Sequence, residues 1–261
     1  MAGRLCQLGQ VPVGALTLPA LDRATLFRKF RQWGWNDFCR YAWNKLGPSG
    51  DSATAKLRNP YLETALRHED GMFRNLHEVA SAYHFPLMVT ADQNSESCIK
   101  QFKDWAPDVA IFTGGNILRE EILMVPRLGI INSHLALLPK FRGMSSPEWS
   151  LLAGDPLGIT IHYMDAGIDT GPVLLRREFS ELSHCESLSD LRNRLIAGGI
   201  EMVMEVLTSL ERGSITPVEQ TEVDRDHQYF VMHDRLKVQA AKILKQRQVA
   251  ALARLLDRKA G

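Results

Sequence analysis

The sequence is short of paired thiols. Its four cysteines, Cys6, Cys39, Cys98 and Cys185, stand far apart and form no CxxC. That excludes a zinc knuckle and a disulfide framework, and leaves free thiols in a reducing compartment. Charge of one sign is also missing. The formal net charge is +1, so no overall field draws the chain to nucleic acid or to an acidic membrane. No apolar run is long enough to cross a bilayer and no signal-peptide pattern opens the chain. A cytoplasmic protein with no nucleic-acid or membrane partner is therefore expected. There is no internal repeat and no low-complexity tract. No serine sits in a glycine elbow, Ser133 included, which argues against a covalent acyl-serine route. Finally, nothing near the start looks like a first strand followed by a glycine-rich turn. The run Val11 to Leu18 could be a strand, but Pro12 and Gly14 interrupt it.

What is present suits a globular fold. The chain has 261 residues, 45% of them hydrophobic, enough for one domain with a sizeable core and a small appendage. We expect a main domain over 1–212 and an appendage over 213–261, a hairpin of Pro217–Glu219 with Gln228–Val231 followed by a basic helix over 235–258. The aromatic and basic stretch 24–46 reads as helices packed on the domain, and 47–70 as a loop. A helix over 72–84, a strand over 86–90, a helix capped by Asn94 or Ser95 and running to Trp105, and a strand over 108–113 alternate. That order predicts an α/β fold with parallel pairing. Further strands are expected over 158–164 and 172–179, a short helix opening at Ser146-Pro147, and a long helix over 187–210 capped by Ser187.

The chemistry concentrates at strand ends. Leu128 to Ile131 is a buried apolar run that breaks into Asn132, Ser133 and His134. An open α/β sheet places its ligands at the carboxyl ends of its strands. Downstream, the alternating strand Gly158 to Tyr163 runs into a loop that carries Asp165, Gly167 and Asp169. A histidine titrates near neutrality and can relay a proton from an attacking amine. An aspartate beside it raises its basicity, and an asparagine amide can donate to a developing oxyanion. Asn132, His134 and Asp169 thus make an acid/base and oxyanion set suited to direct acyl transfer through a tetrahedral intermediate. Thr113-Gly114-Gly115-Asn116-Ile117 follows the preceding strand, and its glycines would let backbone approach a ligand. His162, in mid-strand, reads as packed or hydrogen-bonded structure.

Asn132-x-His134, Leu137-Leu138-Pro139, Arg142-Gly143 and Gly167-Ile168-Asp169-Thr170-Gly171-Pro172 resemble the formyltetrahydrofolate-dependent formyltransferase family, densely over about 105–180. The resemblance implies a Rossmann-like, mostly parallel twisted sheet with helices on both faces. It implies 10-formyltetrahydrofolate as donor co-substrate and a small-molecule primary amine as acceptor. It makes His134 the base, Asn132 the oxyanion donor and Asp169 the group that positions His134. The pterin would lie against backbone of Thr113–Leu118 and of the loop holding Asp165 and Gly167, with Arg142 and Met144 shaping the cleft mouth. The sequence departs from the family at Leu135-Ala136, where Pro-Ser is usual, and in the missing phosphate-binding turn. The tail beyond about 215 is expected to be too short for the β-barrel of the methionyl-tRNA members. A nucleotide-linked amino sugar is the acceptor expected by elimination, and a homodimer through the C-terminal hairpin is conceivable. A formyltetrahydrofolate hydrolase and a non-catalytic folate-binding homologue are the alternatives.

Overall fold

The computed structural model describes residues 1–18, 67–68, 71–73, 75–180, 182, 185–221 and 228–260. The expected helices over 24–46 and most of the expected loop over 47–70 lie outside these. The chain divides into two compact units. One takes Met1–Trp105 with Gly115–Ile117, the other Ala106–Gly114 with Leu118–Gly261. Among the described residues no helix is long and apolar enough to cross a membrane.

The first unit runs α1 (Ala2–Gln7), β1 (Ala15–Thr17), β2 (Arg67–His68), β3 (Gly71–Met72), α2 (Leu76–Tyr83), β4 (Leu87–Val89) and α3 (Glu96–Trp105). The segment that starts at Val11 does yield a strand, and β1 pairs β4 in parallel, Ala15 opposite Leu87. The small core is Cys6, Val79, Ala80 and Phe85, with Leu76 and Leu87 packed against it. Asn75 caps α2 by accepting from the Glu78 N–H at 3.0 Å. Ser95 is the N-cap of α3, its Oγ 3.4 Å from the Cys98 N–H. Both caps satisfy amides that a helix start leaves unpaired.

The second unit runs β5 (Val109–Phe112), α4 (Glu120–Leu123), β6 (Gly129–His134), β7 (Arg142–Gly143), α5 (Ser146–Leu152), β8 (Gly158–Tyr163), β9 (Val173–Glu178), α6 (Leu188–Glu211), β10 (Gln228–Tyr229) and α7 (Asp234–Ala260). Its four-stranded sheet has the order β5-β6-β8-β9. The first pairing is parallel and the other two are antiparallel. The fold is thus Rossmann-like α/β, with a mixed sheet in this unit. Ile130, Ile131, Ile159 and Ile161 of the sheet and Leu191, Leu195, Met202 and Val203 of α6 are buried. Ser187 caps α6 by accepting from the Asp190 N–H at 3.0 Å.

Two expectations are corrected. Pro217–Glu219 and Gln228–Val231 do not pair with each other. Val218 bridges Val173 instead, and Gln228–Tyr229 pairs in parallel with Arg142–Gly143. Each segment finds open backbone on an element already in place, which a local pattern cannot reveal. The cap of α5 is Ser145 rather than Ser146, in the left-handed region at φ +54 and without a side-chain cap bond. Its Oγ is committed elsewhere, to the Met232 N–H at 3.1 Å.

Candidate active site

The polar cluster grows from the end of β6. Asn132 and His134 are two apart on a strand and so share a face. The antiparallel register sets Asn132 opposite His162 of β8, and the parallel register sets Phe112 of β5 opposite Asn132. Asp169 arrives from the loop after β8. Asp165 shapes that loop, its Oδ1 accepting from the Gly167 N–H at 3.0 Å and the Thr170 hydroxyl at 2.6 Å, as aspartate does in turns. Gln220 braces it by donating to the carbonyls of Asp169 (3.1 Å) and Gly171 (2.6 Å). Gly171 has no room for a side chain, because a Cβ would collide with the Tyr163 carbonyl. Asp169 itself sits at φ +54, a conformation that aspartate tolerates better than most residues.

Proton positions follow from the partners. His134 Nε2 lies 2.6 Å from the Phe141 carbonyl oxygen. A carbonyl only accepts, so Nε2 carries a hydrogen. Nδ1, 3.3 Å from Asp169 Oδ2, is left as the nitrogen that can take a proton. By the same reasoning His162 Nδ1, 2.7 Å from the Tyr163 carbonyl, donates there. His162 Nε2 then accepts from Asn132 Nδ2 at 3.2 Å. The same amide nitrogen lies 3.4 Å from Asp169 Oδ1, which sets the Asn132 amide with its NH2 toward the cluster. Asp169 Oδ2 also accepts from the Gly143 N–H at 2.8 Å.

Burial lowers the pKa of His134, and the neighbouring His162 adds to that. The Asp169 charge and the Phe141 carbonyl pull the other way, and the net shift is downward. Burial alone would raise the Asp169 carboxyl. The His162 ring, the charge of His134 and the Gly143 N–H outweigh it and hold the group down to about 2. The cluster therefore offers a neutral imidazole beside a charged carboxylate near neutral pH, with an amide donor next to both. Such a set can accept a proton and stabilise a developing negative charge. Among the described residues no three His, Cys, Asp or Glu side chains are grouped to hold a metal ion.

The structure brings Asn132, His134 and Asp169 together, with Asp165 and Gly167 in the loop that delivers Asp169. Thr113 and Gly114 continue β5 beyond the residue registered with Asn132 and are exposed. Gly115, Asn116 and Ile117 group with the first unit, where the Asn116 N–H donates to Gln93 Oε1 at 3.0 Å and the Ile117 carbonyl accepts from Asn94 at 3.0 Å. Leu118 is buried. Met144 is exposed and lines a cleft of about 640 Å³ that opens beside His134. Arg142 does not line this cleft. It is 4% exposed, with Nη1 3.4 Å from the Ile168 carbonyl. The sequence reading missed Gln220, the Phe141 carbonyl and the Gly143 N–H; it read His162 as packed or hydrogen-bonded structure, and His162 is buried and hydrogen-bonded, with the Asn132 amide of the cluster as one partner. The alternation of β8 was a usable signal, since it puts His162 on the face opposite Ile159 and Ile161.

A family model described as formyl transferase matches residues 69–207. The methionyl-tRNA formyltransferase of Thermodesulfovibrio yellowstonii is 36% identical over 146 residues, covering 55% of this chain and 47% of that protein. The methionyl-tRNA formyltransferase of Nitrosomonas eutropha is 38% identical over 144 residues, covering 54% and 45%. The chain spans about half the length of the curated relatives it matches. Among solved structures, the formyltransferase PseJ of Anoxybacillus kamchatkensis, in complex with a UDP-linked formamido sugar and tetrahydrofolate, is 23% identical with a TM-score of 0.46, covering 56% of this chain and 76% of that one. A sugar N-formyltransferase from a Shewanella species is 16% identical with a TM-score of 0.46, covering 87% of each chain.

Proposed function

The chain belongs to the formyl transferase family, and from that premise we propose that it moves a formyl group from 10-formyltetrahydrofolate to a primary amine. The observation that carries this reading is the approach of Asn132, His134 and Asp169 to within 3.4 Å of one another through Asp169. When bound, the donor supplies a formyl carbon on nitrogen and leaves as the tetrahydrofolate amine. The exposed backbone of Thr113 and Gly114, beside the residue registered with Asn132, suits a flat pterin.

The chain's own residues then have defined tasks. Asn132 keeps one N–H on His162 and gives the other, which makes the longer 3.4 Å contact with Asp169, to the formyl oxygen as negative charge develops there. Removing such a donor costs roughly 2.7–4 kcal/mol of transition-state stabilisation. His134 takes the amine proton at Nδ1 and returns it to the leaving nitrogen, so no proton is lost or gained overall. Asp169 stabilises the imidazolium that forms between the two transfers. His162 orients the Asn132 amide.

For the acceptor, a small amine such as a nucleotide-linked amino sugar remains our first reading. The relatives named methionyl-tRNA formyltransferases, at 36% and 38% identity, favour a second, an aminoacyl amine carried on tRNA. The test incubates the purified chain with 10-formyltetrahydrofolate and a panel of amines, read by mass. Formylated amine supports the proposal. Brisk formate release from donor alone, with no amine formylated, makes the chain a hydrolase and overturns it. His134→Ala is expected to lower turnover about 10²–10⁴-fold with donor affinity mostly kept, as fluorescence titration would report. A wild-type rate refutes the role of His134.

A further inference from the structure

Asp169 meets His134 Nδ1 at 3.3 Å and the Gly143 N–H at 2.8 Å from a left-handed turn at φ +54. A side chain as short as aspartate goes where its Cα–Cβ bond points. A left-handed residue other than glycine persists only where its surroundings impose the conformation. Whatever imposes it therefore decides where the carboxylate lies.

Two side chains do so. Asp165 ties the entry to the turn, accepting from the Gly167 N–H and the Thr170 hydroxyl. Gln220 ties the exit. Its Nε2 donates to the Asp169 carbonyl at 3.1 Å and to the Gly171 carbonyl at 2.6 Å. Neither carbonyl has a main-chain donor among the described residues, so one amide holds both. Each carbonyl marks the rotation of its own planar peptide unit, and the pair fixes the chain on both sides of Thr170. A carbonyl only accepts, so Nε2 must be the atom that faces them. Gln220 Oε1 is left buried with no hydrogen-bond partner among the described residues, which has a cost in stability. The grip on the turn is kept despite that cost.

Strand register delivers the residue. Val218 and Val173 exchange two backbone hydrogen bonds of 2.8 Å in an antiparallel bridge. Counting two residues on from Val218 and two back from Val173 sets Gln220 opposite Gly171. Gly171 lies so close to the Tyr163 carbonyl that a Cβ would not fit, which bars the turn from moving toward β8. Gln220 lies outside residues 69–207 matched by the formyl transferase model, and it does not line the cleft beside His134.

We propose that Gln220 is a positioning residue for formyl transfer: by holding the main chain of the Asp169–Gly171 turn it keeps the Asp169 carboxylate against His134, without touching either substrate. The effect on rate rests on the formyl-transfer reading, and the positioning does not.

The test uses the full chain carrying Gln220→Met, which matches glutamine in length and donates nothing. The ionisable groups that face His134 are Asp169 and His162, and of these only Asp169 is held by Gln220. Loosening the turn withdraws the Asp169 charge, which supports the protonated imidazole. The His134 titration, read from its imidazole resonances, should therefore move to lower pH. The move should be smaller than in Asp169→Asn, because the Gly143 N–H still holds Oδ2. Turnover should fall about tenfold, short of the roughly 10²-fold cost of a misplacement of about 1 Å, with donor affinity kept. A role in stability alone would leave the His134 midpoint of the folded protein where it is. Combined with Asp169→Asn, Gln220→Met should turn over no more slowly than Asp169→Asn alone, since both act through one carboxylate. If Gln220→Met does not fold, Gln220→Asn, whose amide falls one methylene short of the two carbonyls, carries the same decisions. A wild-type rate, an unmoved midpoint, or losses that multiply in the double variant overturns the proposal. If the wild type formylates no amine, the formyl-transfer reading falls, and the titration alone decides whether Gln220 positions Asp169.

Discussion

Asp169 does two things at once in the cluster, and they can be separated by one atom. Its carboxylate faces His134 Nδ1 and the Asn132 amide, while its backbone holds a left-handed turn at φ +54. Asparagine also tolerates that conformation, so Asp169→Asn keeps the turn and removes the charge. Turnover should fall about 10²-fold or more. The Asp169 charge is what raises the His134 pKa against the effect of burial. The His134 titration, followed by its imidazole resonances, should therefore move to still lower pH in the variant. An unmoved midpoint would break the proposed coupling. At this scale Asn132, His134 and Asp169 were legible because residue type and strand-end position coincide. His162 became part of the cluster only through the antiparallel register of β6 with β8, which sequence spacing does not encode. The Gly143 N–H and the Phe141 carbonyl were illegible for a simpler reason: every residue has such groups, so their identity carries no signal.

Elements were legible where a local rule governs them. The caps Ser95 and Ser187 and the apolar runs of β5, β6 and β8 came through to within a few residues. Partners were less so. β10 and Val218 took edges left by β7 and β9, and the choice depends on which edges are open, not on their own residues. The contact of α6 with β6 is another long-range choice. Gly199 lies against Ser133, where a Cβ would overlap the Oγ, and that Oγ is buried with no hydrogen-bond partner among the described residues. Gly199→Ala gains about 0.5–1 kcal/mol of helix propensity but forces an overpacked contact that costs about 1–3 kcal/mol. Net destabilisation is expected in urea unfolding. Ser133→Ala removes both the overlap and an unsatisfied hydroxyl, so the double variant should be at least as stable as wild type. Additive losses would show that the contact is not the cause.

The whole molecule divides its pH sensitivity between the two units. In the second, His134 has a folded pKa below its ordinary 6.5, so the unfolded state binds protons first. The stability that it lends is full above about 6.5 and is lost as pH falls below that value. Asp169, held at about 2 against an ordinary 3.8, lends about 2 kcal/mol that is present above 3.8 and is lost between there and 2. In the first unit, burial raises the thiols of Cys6 and Cys98 above their ordinary 9.0. Their stability is present below 9 and fades as pH climbs past it. Tyr163, raised from 10.0 by burial, weakens the second unit only at still higher pH. Hydrogen exchange across a pH series, corrected for intrinsic rates, should then show β6 and β8 losing protection in two acid steps, below 6.5 and below 3.8. Segments α1 and α3 should lose it first on the alkaline side, from about 9. His134→Gln should abolish the upper acid step and Asp169→Asn the lower. If both steps survive in both variants, the acid sensitivity does not originate in the cluster.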